Sequence, residues 1–199
     1  MVDNCVIVSS MGRAGSTLLY KSIINSMGYS SKLSCFRKSL DICDYENGAV
    51  YKTHVLLPNN PPKNAKFIWT FADPYEVVIS VIRQQEKKGI EWVKNHFDNL
   101  GGEFDKYDSI IDYDALHLEE HFDRWYNKQN FNLVTVKYRS LWDYQKELSN
   151  FVGSYIDLPV KNVRNRRFGS LDDDVQNRMI DTYGNLHEKV FSADEFRKF

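Results

Sequence analysis

A short turn between two apolar segments has the residue types that bind an anion. It lies in residues 5–27, which read CVIVSSMGRAGSTLLYKSIINSM. The first four residues are apolar without alternation, which is typical of a strand buried on both faces. Leu19 and Ile23 then recur at helical spacing, so the turn leads into the N-terminus of a helix. Unpaired N–H groups and the positive end of the helix dipole attract a phosphate or a sulfate to that position.

The turn itself fits an anion cradle. Gly12 and Gly15 permit backbone conformations and a close ligand approach that a side chain would block. Arg13 adds a full positive charge, and Ser16 or Thr17 opens the helix. The GxxxxGK[ST] motif of nucleotide triphosphatases is absent, because Gly15 precedes Ser16 where that motif has a lysine. A GxxG on its own is equally consistent with an ordinary strand-to-helix turn.

Two titratable side chains follow on a second predicted strand. Residues 49–57, AVYKTHVLL, have strand composition. Lys52 and His54 are two residues apart, which places them on one face of the pleat. Such a pair near the end of a strand fits an α/β active site, where ligands gather at the carboxyl edge of the sheet. On this pair alone, an edge strand with a solvated face is the slightly better explanation.

A third apolar strand, residues 66–71, leads into a helix that carries two further polar candidates. Asp73 is placed as the N-cap of this helix and Pro74 as its first residue. Ser80 and Arg83 are three residues apart on the helix, so they can reach the same ligand.

The remaining pattern alternates helices and strands. Further helices are predicted at 90–100, 115–129, 141–152 and 171–190, and a strand at 132–138. The order predicts an α/β fold, a three-layer sandwich in which helices flank a central, mostly parallel sheet of four or five strands, as in P-loop proteins. We expect residues 1–199 to form a single domain.

One short pattern suggests a metal site, but the helix around it has a simpler explanation. Residues 117–121 read HLEEH and match the HxxEH pattern of zinc proteases. Leu118, Phe122 and Trp125 form an amphipathic stripe that accounts for the helix without a metal, and no third ligand is evident. We therefore predict no metal requirement.

Composition and charge exclude several classes of function. There are 26 Lys and Arg against 27 Asp and Glu, so the chain lacks the global basic field that is typical of non-specific nucleic-acid binding. The three cysteines have no CxxC spacing, which indicates reduced thiols, and no apolar run approaches the length of a membrane span. The sequence predicts a cytoplasmic protein without a nucleic-acid or membrane partner.

The densest positive cluster, KNVRNRRFG at 161–169, is best explained by a phosphate ligand.

Taken in order, these segments resemble the PAPS-dependent sulfotransferases, whose donor is 3′-phosphoadenosine 5′-phosphosulfate (PAPS). The resemblance extends from Val6 to about Gly169. GRAGSTL is similar to the loop that holds the 5′-phosphosulfate of the donor in that family. It implies that the donor contacts Gly12, Arg13, Ala14, Gly15, Ser16, Thr17 and Leu18.

The second strand also resembles that family. YKTHVLLP is similar to the KTHxP segment of its cytosolic members, in which the histidine is the catalytic base and the lysine contacts the donor. The resemblance implies that His54 is the base and that Lys52 and Arg13 hold the charge of the transferred group. Other branches use a glutamate soon after the first helix, but no carboxylate occurs between Ile24 and Leu40.

The resemblance extends to the segments that bind the nucleotide. Residues 66–80 resemble the 3′-phosphate segment, and Ser80 matches its serine, but Ala72 replaces its arginine. Either Arg83 or the cluster from Arg164 to Arg167, which includes Arg166, is expected to compensate. VKYRSL resembles VxYEDL and implies that Tyr138 lies near the adenine. The run at 166–169 resembles the late RKG loop over the 3′-phosphate, which implies donor contacts from Arg166, Arg167 and Gly169.

The resemblance implies in-line transfer of a sulfuryl group from PAPS to a hydroxyl or amine acceptor, without a metal. The product is 3′-phosphoadenosine 5′-phosphate (PAP), and the acceptor is a small molecule or a saccharide or peptide hydroxyl. Two alternatives stay open. One is a small-molecule or nucleotide kinase on a P-loop scaffold, which the missing loop lysine disfavours. The other is a non-catalytic nucleotide-binding module, which Ala72 and the short chain suggest.

Overall fold

Six strands form one sheet, in the order β2-β3-β1-β4-β5-β6, in a computed structural model that describes residues 4–26, 28–40, 45–57, 65–127, 132–161 and 168–199. Strands β1 to β5 are parallel, and β6 pairs with β5 in the antiparallel direction. The strands are β1 (Cys5–Ser10), β2 (Cys35–Phe36), β3 (Val50–Lys52), β4 (Ala65–Phe71), β5 (Leu133–Lys137) and β6 (Phe196–Lys198).

Helices cover both faces of this sheet. They are α1 (Ser16–Ile24), α2 (Pro74–Lys88), α3 (Ile90–Leu100), α4 (Leu118–Tyr126), α5 (Gln145–Val152) and α6 (Asp173–Ser192). Alternate residues of β1 serve two cores: Val6 and Val8 pack with α1 and α5, whereas Cys5 and Ile7 belong to the core shared with α2, α3, α4 and α6. Because side chains alternate across a strand, one buried strand supports both helical layers.

The predicted three-layer α/β architecture is therefore confirmed. The sheet has six strands instead of the four or five predicted, because β2 and β6 are two and three residues long and are too short to carry a pattern. The sheet also ends in an antiparallel strand at one edge, where the C-terminal segment returns beside β5.

Some element bounds differ from the predicted ones. The strand predicted at 49–57 ends at Lys52, so His54 lies just beyond it. The helix predicted at 115–129 covers Leu118–Tyr126, and residues 128–131 lie outside the described ranges. The helix predicted at 141–152 begins at Gln145, because a 3-10 helix at Tyr138–Ser140 and a turn precede it.

The register of the parallel strands sets the position of the functional residues. β1 lies between β3 and β4, with Val8 opposite Lys52 and Ser10 opposite Thr70. The C-terminal ends of these three strands therefore meet at one edge of the sheet, as ligand sites in open α/β sheets require. Within the described ranges, no helix combines the length and apolar character needed to cross a membrane.

Candidate functional site

The turn between β1 and α1 has a backbone that only a few residue types adopt easily. Gly12, Arg13 and Gly15 have φ angles of 84°, 48° and 88°, all in the left-handed region. Glycine adopts this region at little cost, whereas an L-residue such as Arg13 pays roughly 1–2 kcal/mol. Gly15 is the N-cap of α1 and makes no side-chain capping bond, so its helix presents unpaired N–H groups at this edge of the sheet.

A buried serine connects the turn to the histidine that follows β3. Ser10 Oγ donates to Ser16 Oγ at 3.0 Å and accepts from the backbone N–H of Gly12 at 3.3 Å. The same hydroxyl lies 3.1 Å from Nδ1 of His54. The conformation of the turn and the orientation of the imidazole are therefore held by one side chain.

The contacts of His54 define its tautomer. Nδ1 lies 3.2 Å from the backbone carbonyl oxygen of Ser10, which can only accept a hydrogen bond, so Nδ1 carries the proton. Nε2 therefore carries a lone pair, which accepts a hydrogen bond from the ammonium group of Lys52 at 2.9 Å. Burial, and then the charge of Lys52, lower the pKa of His54 well below its ordinary value. The imidazole is neutral near pH 7, with Nε2 unprotonated.

Two cations, Lys52 and Arg13, lie close to each other in this region. Burial, and then the positive charge of Arg13, lower the pKa of Lys52 to about 8. Arg13 donates from Nε to Ser80 Oγ at 2.9 Å, and its guanidinium lies over the ring of Trp92, 5.4 Å from the centroid. Arg13 is thus held by contacts with α2 and α3, and Lys52 by its contact with Nε2 of His54.

A cavity of about 440 Å³ lies above these residues. It is lined by the turn and the start of α1, by Lys52 and His54, and by Tyr138. Three cations line it, Arg13, Lys52 and Lys88, and no carboxylate does among the described residues. The cavity can bind an anion beside a neutral histidine that is able to accept a proton.

Structural comparisons identify the fold around this cavity. No protein-family model matches the sequence, and no curated protein matches it. Among solved structures, mouse sulfotransferase SULT7A1 complexed with PAP superposes with a TM-score of 0.59 at 13% identity, over 98% of this chain and 87% of that chain. This chain has a sulfotransferase fold.

Two further matches are retinol dehydratase structures. One, in complex with androsterone and the inactive cofactor PAP, has a TM-score of 0.48 at 13% identity, with 90% of this chain and 64% of that chain covered. The other, in complex with retinol and PAP, has a TM-score of 0.47 at 14% identity, with 96% of this chain and 65% of that chain covered. The chain thus spans just under two thirds of retinol dehydratase.

Within this sulfotransferase fold, several predicted site residues lie together. The cavity brings Arg13, Lys52 and His54 close to Tyr138, which lies directly against Gly15. The remaining predicted residues that line it are Gly15, Ser16, Thr17 and Leu18. Gly12 and Ala14 are buried in the turn itself, and Ser80 is buried behind Arg13.

Other predicted residues do not line this cavity. Arg83 is half-buried on α2, and Gly169 is exposed in the 3-10 helix Phe168–Ser170. That short helix lies at the start of α2, because the Phe168 ring stacks on Tyr75 at 4.3 Å. Arg166 and Arg167 lie outside the described residues. Ala72, which replaces the expected arginine, lines a separate cavity of about 120 Å³ on the other side of Tyr138.

Helix α3 contributes residues that sequence reasoning did not identify. Trp92, Asn95, His96 and Asn99 line the cavity, at positions i, i+3, i+4 and i+7 on one helical face. This spacing was visible in the sequence. It did not identify a site, because polar residues on an amphipathic helix usually face solvent.

The histidines of the HLEEH pattern have other partners. His121 is buried and donates from Nε2 to the carbonyl oxygen of Leu100 at 3.0 Å, whereas His117 Nε2 lies 3.0 Å from a carboxylate oxygen of Glu103. In the part of the chain that the structure describes, no group of three or more His, Cys, Asp or Glu residues is placed to hold a metal ion.

Proposed function

We propose that this protein transfers a sulfuryl group from PAPS to a hydroxyl or amine acceptor, with His54 as the general base. The observation that carries the proposal is the neutral, buried His54, whose unprotonated Nε2 lies in a cavity lined by cations beside a helix N-terminus. The fold supports the same reaction class, because it is shared with a sulfotransferase that was crystallised with PAP.

The transfer proceeds by in-line displacement at sulfur. The acceptor oxygen or nitrogen forms a bond to sulfur while the bond between sulfur and the bridging oxygen of the 5′-phosphate breaks. The acceptor proton passes to Nε2 of His54, and PAP leaves with the negative charge on its phosphate. Arg13, Lys52 and the N–H groups of the turn stabilise the negative charge on the sulfuryl and leaving oxygens.

Lys52 has two roles in this scheme. Without a ligand it donates to Nε2 of His54, so the lone pair is occupied. The anionic donor offers Lys52 stronger acceptors than an imidazole nitrogen, because its oxygens carry negative charge that attracts the ammonium group, whereas the imidazole is neutral. Donor binding thereby frees Nε2 to receive the acceptor proton.

The nucleotide part of the donor is assigned to the other predicted residues. Tyr138 lies against Gly15 and faces the cavity, which supports an adenine position beside the turn. Ser80 and Arg83 are on α2, and the segment that contains Gly169 lies at the start of the same helix. We assign the 3′-phosphate to this region, with Arg166 and Arg167 as further contacts.

The pKa of Lys52 predicts how donor affinity depends on pH. The side chain is charged below about pH 8 and neutral above it, so an anion loses one charge-assisted contact as the pH rises. We expect the affinity for PAP to fall about tenfold or more between about pH 7 and 9.5. In Lys52→Arg, which stays charged throughout, the affinity should stay flat. Calorimetric titration of both proteins tests this, and an equal decline in the two would contradict it.

The first test of the proposed function is thermal unfolding with PAP, with PAPS, and with ATP plus Mg²⁺. A ligand at about a hundred times its dissociation constant stabilises the folded state by roughly 2.7 kcal/mol, or about 5–10 °C for a chain of this size. We expect PAP and PAPS to raise Tm and ATP with Mg²⁺ to leave it unchanged. Stabilisation by ATP with Mg²⁺ but not by PAP would support a kinase on the same scaffold instead.

A further inference from the structure

His96 is a second buried histidine in the wall of the cavity, and it has no assigned role. Its side chain is on α3 and is 7% exposed. Nε2 is buried and has no hydrogen-bond partner among the described residues. A buried polar atom without a partner is unfavourable, and native proteins retain few of them. An unused imidazole in the lining of a binding cavity therefore indicates that a ligand supplies the missing contact.

The packing of the ring determines which part of a ligand it meets. His96 stacks on Trp92, with centroids 5.0 Å apart and planes 14° apart, and it makes an edge-to-face contact with the His54 ring, with centroids 6.0 Å apart. Nε2 is 3.3 Å from the position that a Cβ on Gly12 would occupy. His96 thus touches both the turn proposed to hold the 5′-phosphosulfate and the proposed base.

The charge state of His96 is also defined by its surroundings. Burial, and then the positive charges of Arg13 and Lys52, lower its pKa to about 3. The ring is neutral at physiological pH, so it has one N–H to donate and cannot act as a competing acid. A neutral donor beside two cations suits an anionic oxygen.

We propose that His96 donates a hydrogen bond to an oxygen of the sulfuryl group of PAPS. This inference rests on the proposed function, because in-line transfer places sulfur between the turn and His54, and His96 contacts both. His96 keeps its proton throughout: the acceptor proton goes to His54, and the bond that breaks joins sulfur to the 5′-phosphate. His96 is then a catalytic residue that recognises the group PAPS has and PAP lacks.

The test compares the affinities for PAPS and PAP, so it needs no acceptor. In His96→Phe the ring can still stack on Trp92 but has no N–H. We expect its affinity for PAPS to fall about tenfold or more, and its affinity for PAP to change less than about twofold. In His96→Asn the amide N–H reaches the position of ring nitrogen Nδ1, and in His96→Gln it reaches the position of Nε2. At least one of them should recover most of the loss.

PAP affinity serves as the internal control, because it reports whether the turn and the cavity are intact. Suppose that the parent protein binds both nucleotides. If His96→Phe then lowers the affinities for PAPS and PAP equally, or lowers neither, this inference is wrong and the proposed function stands. If the parent binds neither PAP nor PAPS, the proposed function fails and this inference fails with it.

Discussion

Replacement of His54 by alanine or glutamine is expected to lower kcat by about 10²–10⁴-fold, the usual loss when a general base is removed. The expectation follows from the tautomer: Nδ1 is protonated toward the Ser10 carbonyl, so Nε2 is the basic atom. PAP affinity should change less than about threefold, since the turn and Arg13 remain. Transfer from radiolabelled PAPS to a panel of phenols, alcohols and amines measures kcat with the best acceptor of the parent protein.

His121→Gln is the matched control for this substitution. His121 is also buried, and burial lowers its pKa to about 4, but it does not line the cavity. It donates from Nε2 to the carbonyl oxygen of Leu100, and a glutamine N–H can replace that bond. We expect parental kcat from His121→Gln. A His54→Gln protein with parental turnover would exclude His54 as the base.

Replacement of Gly15 by alanine is expected to damage both stability and ligand binding. The residue has φ of 88°, and a Cβ there would overlap the ring of Tyr138, with Cε2 at 2.6 Å. Left-handed backbone costs an L-residue about 1–2 kcal/mol, and overpacking adds about 1–3 kcal/mol. The displaced ring also changes the cavity wall. We expect unfolding in urea to show a loss of about 2–5 kcal/mol, and PAP to bind at least about tenfold more weakly.

Gly101→Ala separates the backbone cost from the overlap. Gly101 is also left-handed, with φ of 73° and ψ of 25°, but a Cβ there meets no atom within 4 Å. We expect a loss of about 1–2 kcal/mol and unchanged PAP affinity. Adding Tyr138→Ala to Gly15→Ala removes the overlapping ring, so the double variant should be less destabilised than the sum of the two single variants. Additive losses would mean that the ring and the new methyl group do not interact.

The local parts of the site could be predicted from the sequence. The strand, turn and helix from Cys5 to Ile24 depend on interactions within a few residues, and the structure has them where the pattern predicts. Lys52 and His54 were predicted to lie on one face, and their nitrogens are 2.9 Å apart. The roles of these residues, and those of Ser80, Arg83 and the cluster with Arg166 and Arg167, stay predictions until ligand binding is measured.

Other parts of the site depend on contacts between segments that are distant in the sequence. Ser10 and His54 are 44 residues apart, and Arg13 and Ser80 are 67 apart, yet each pair is within hydrogen-bond distance. The placement of α3 over the turn also depends on contacts between segments that are distant in the sequence. It makes His96 a lining residue, although its own helix pattern predicts only a buried or solvated position.

The sequence by itself determined the α/β class and the glycine-bearing turn between β1 and α1, because hydrophobic periodicity and glycine positions act over a few residues. Its short motifs predicted His54 as the candidate base. The tertiary structure alone decided the strand order, the two short edge strands, the tautomer of His54 and the position of His96. These depend on which segments meet across the sheet and on what surrounds each polar atom after burial. No local pattern contains that information.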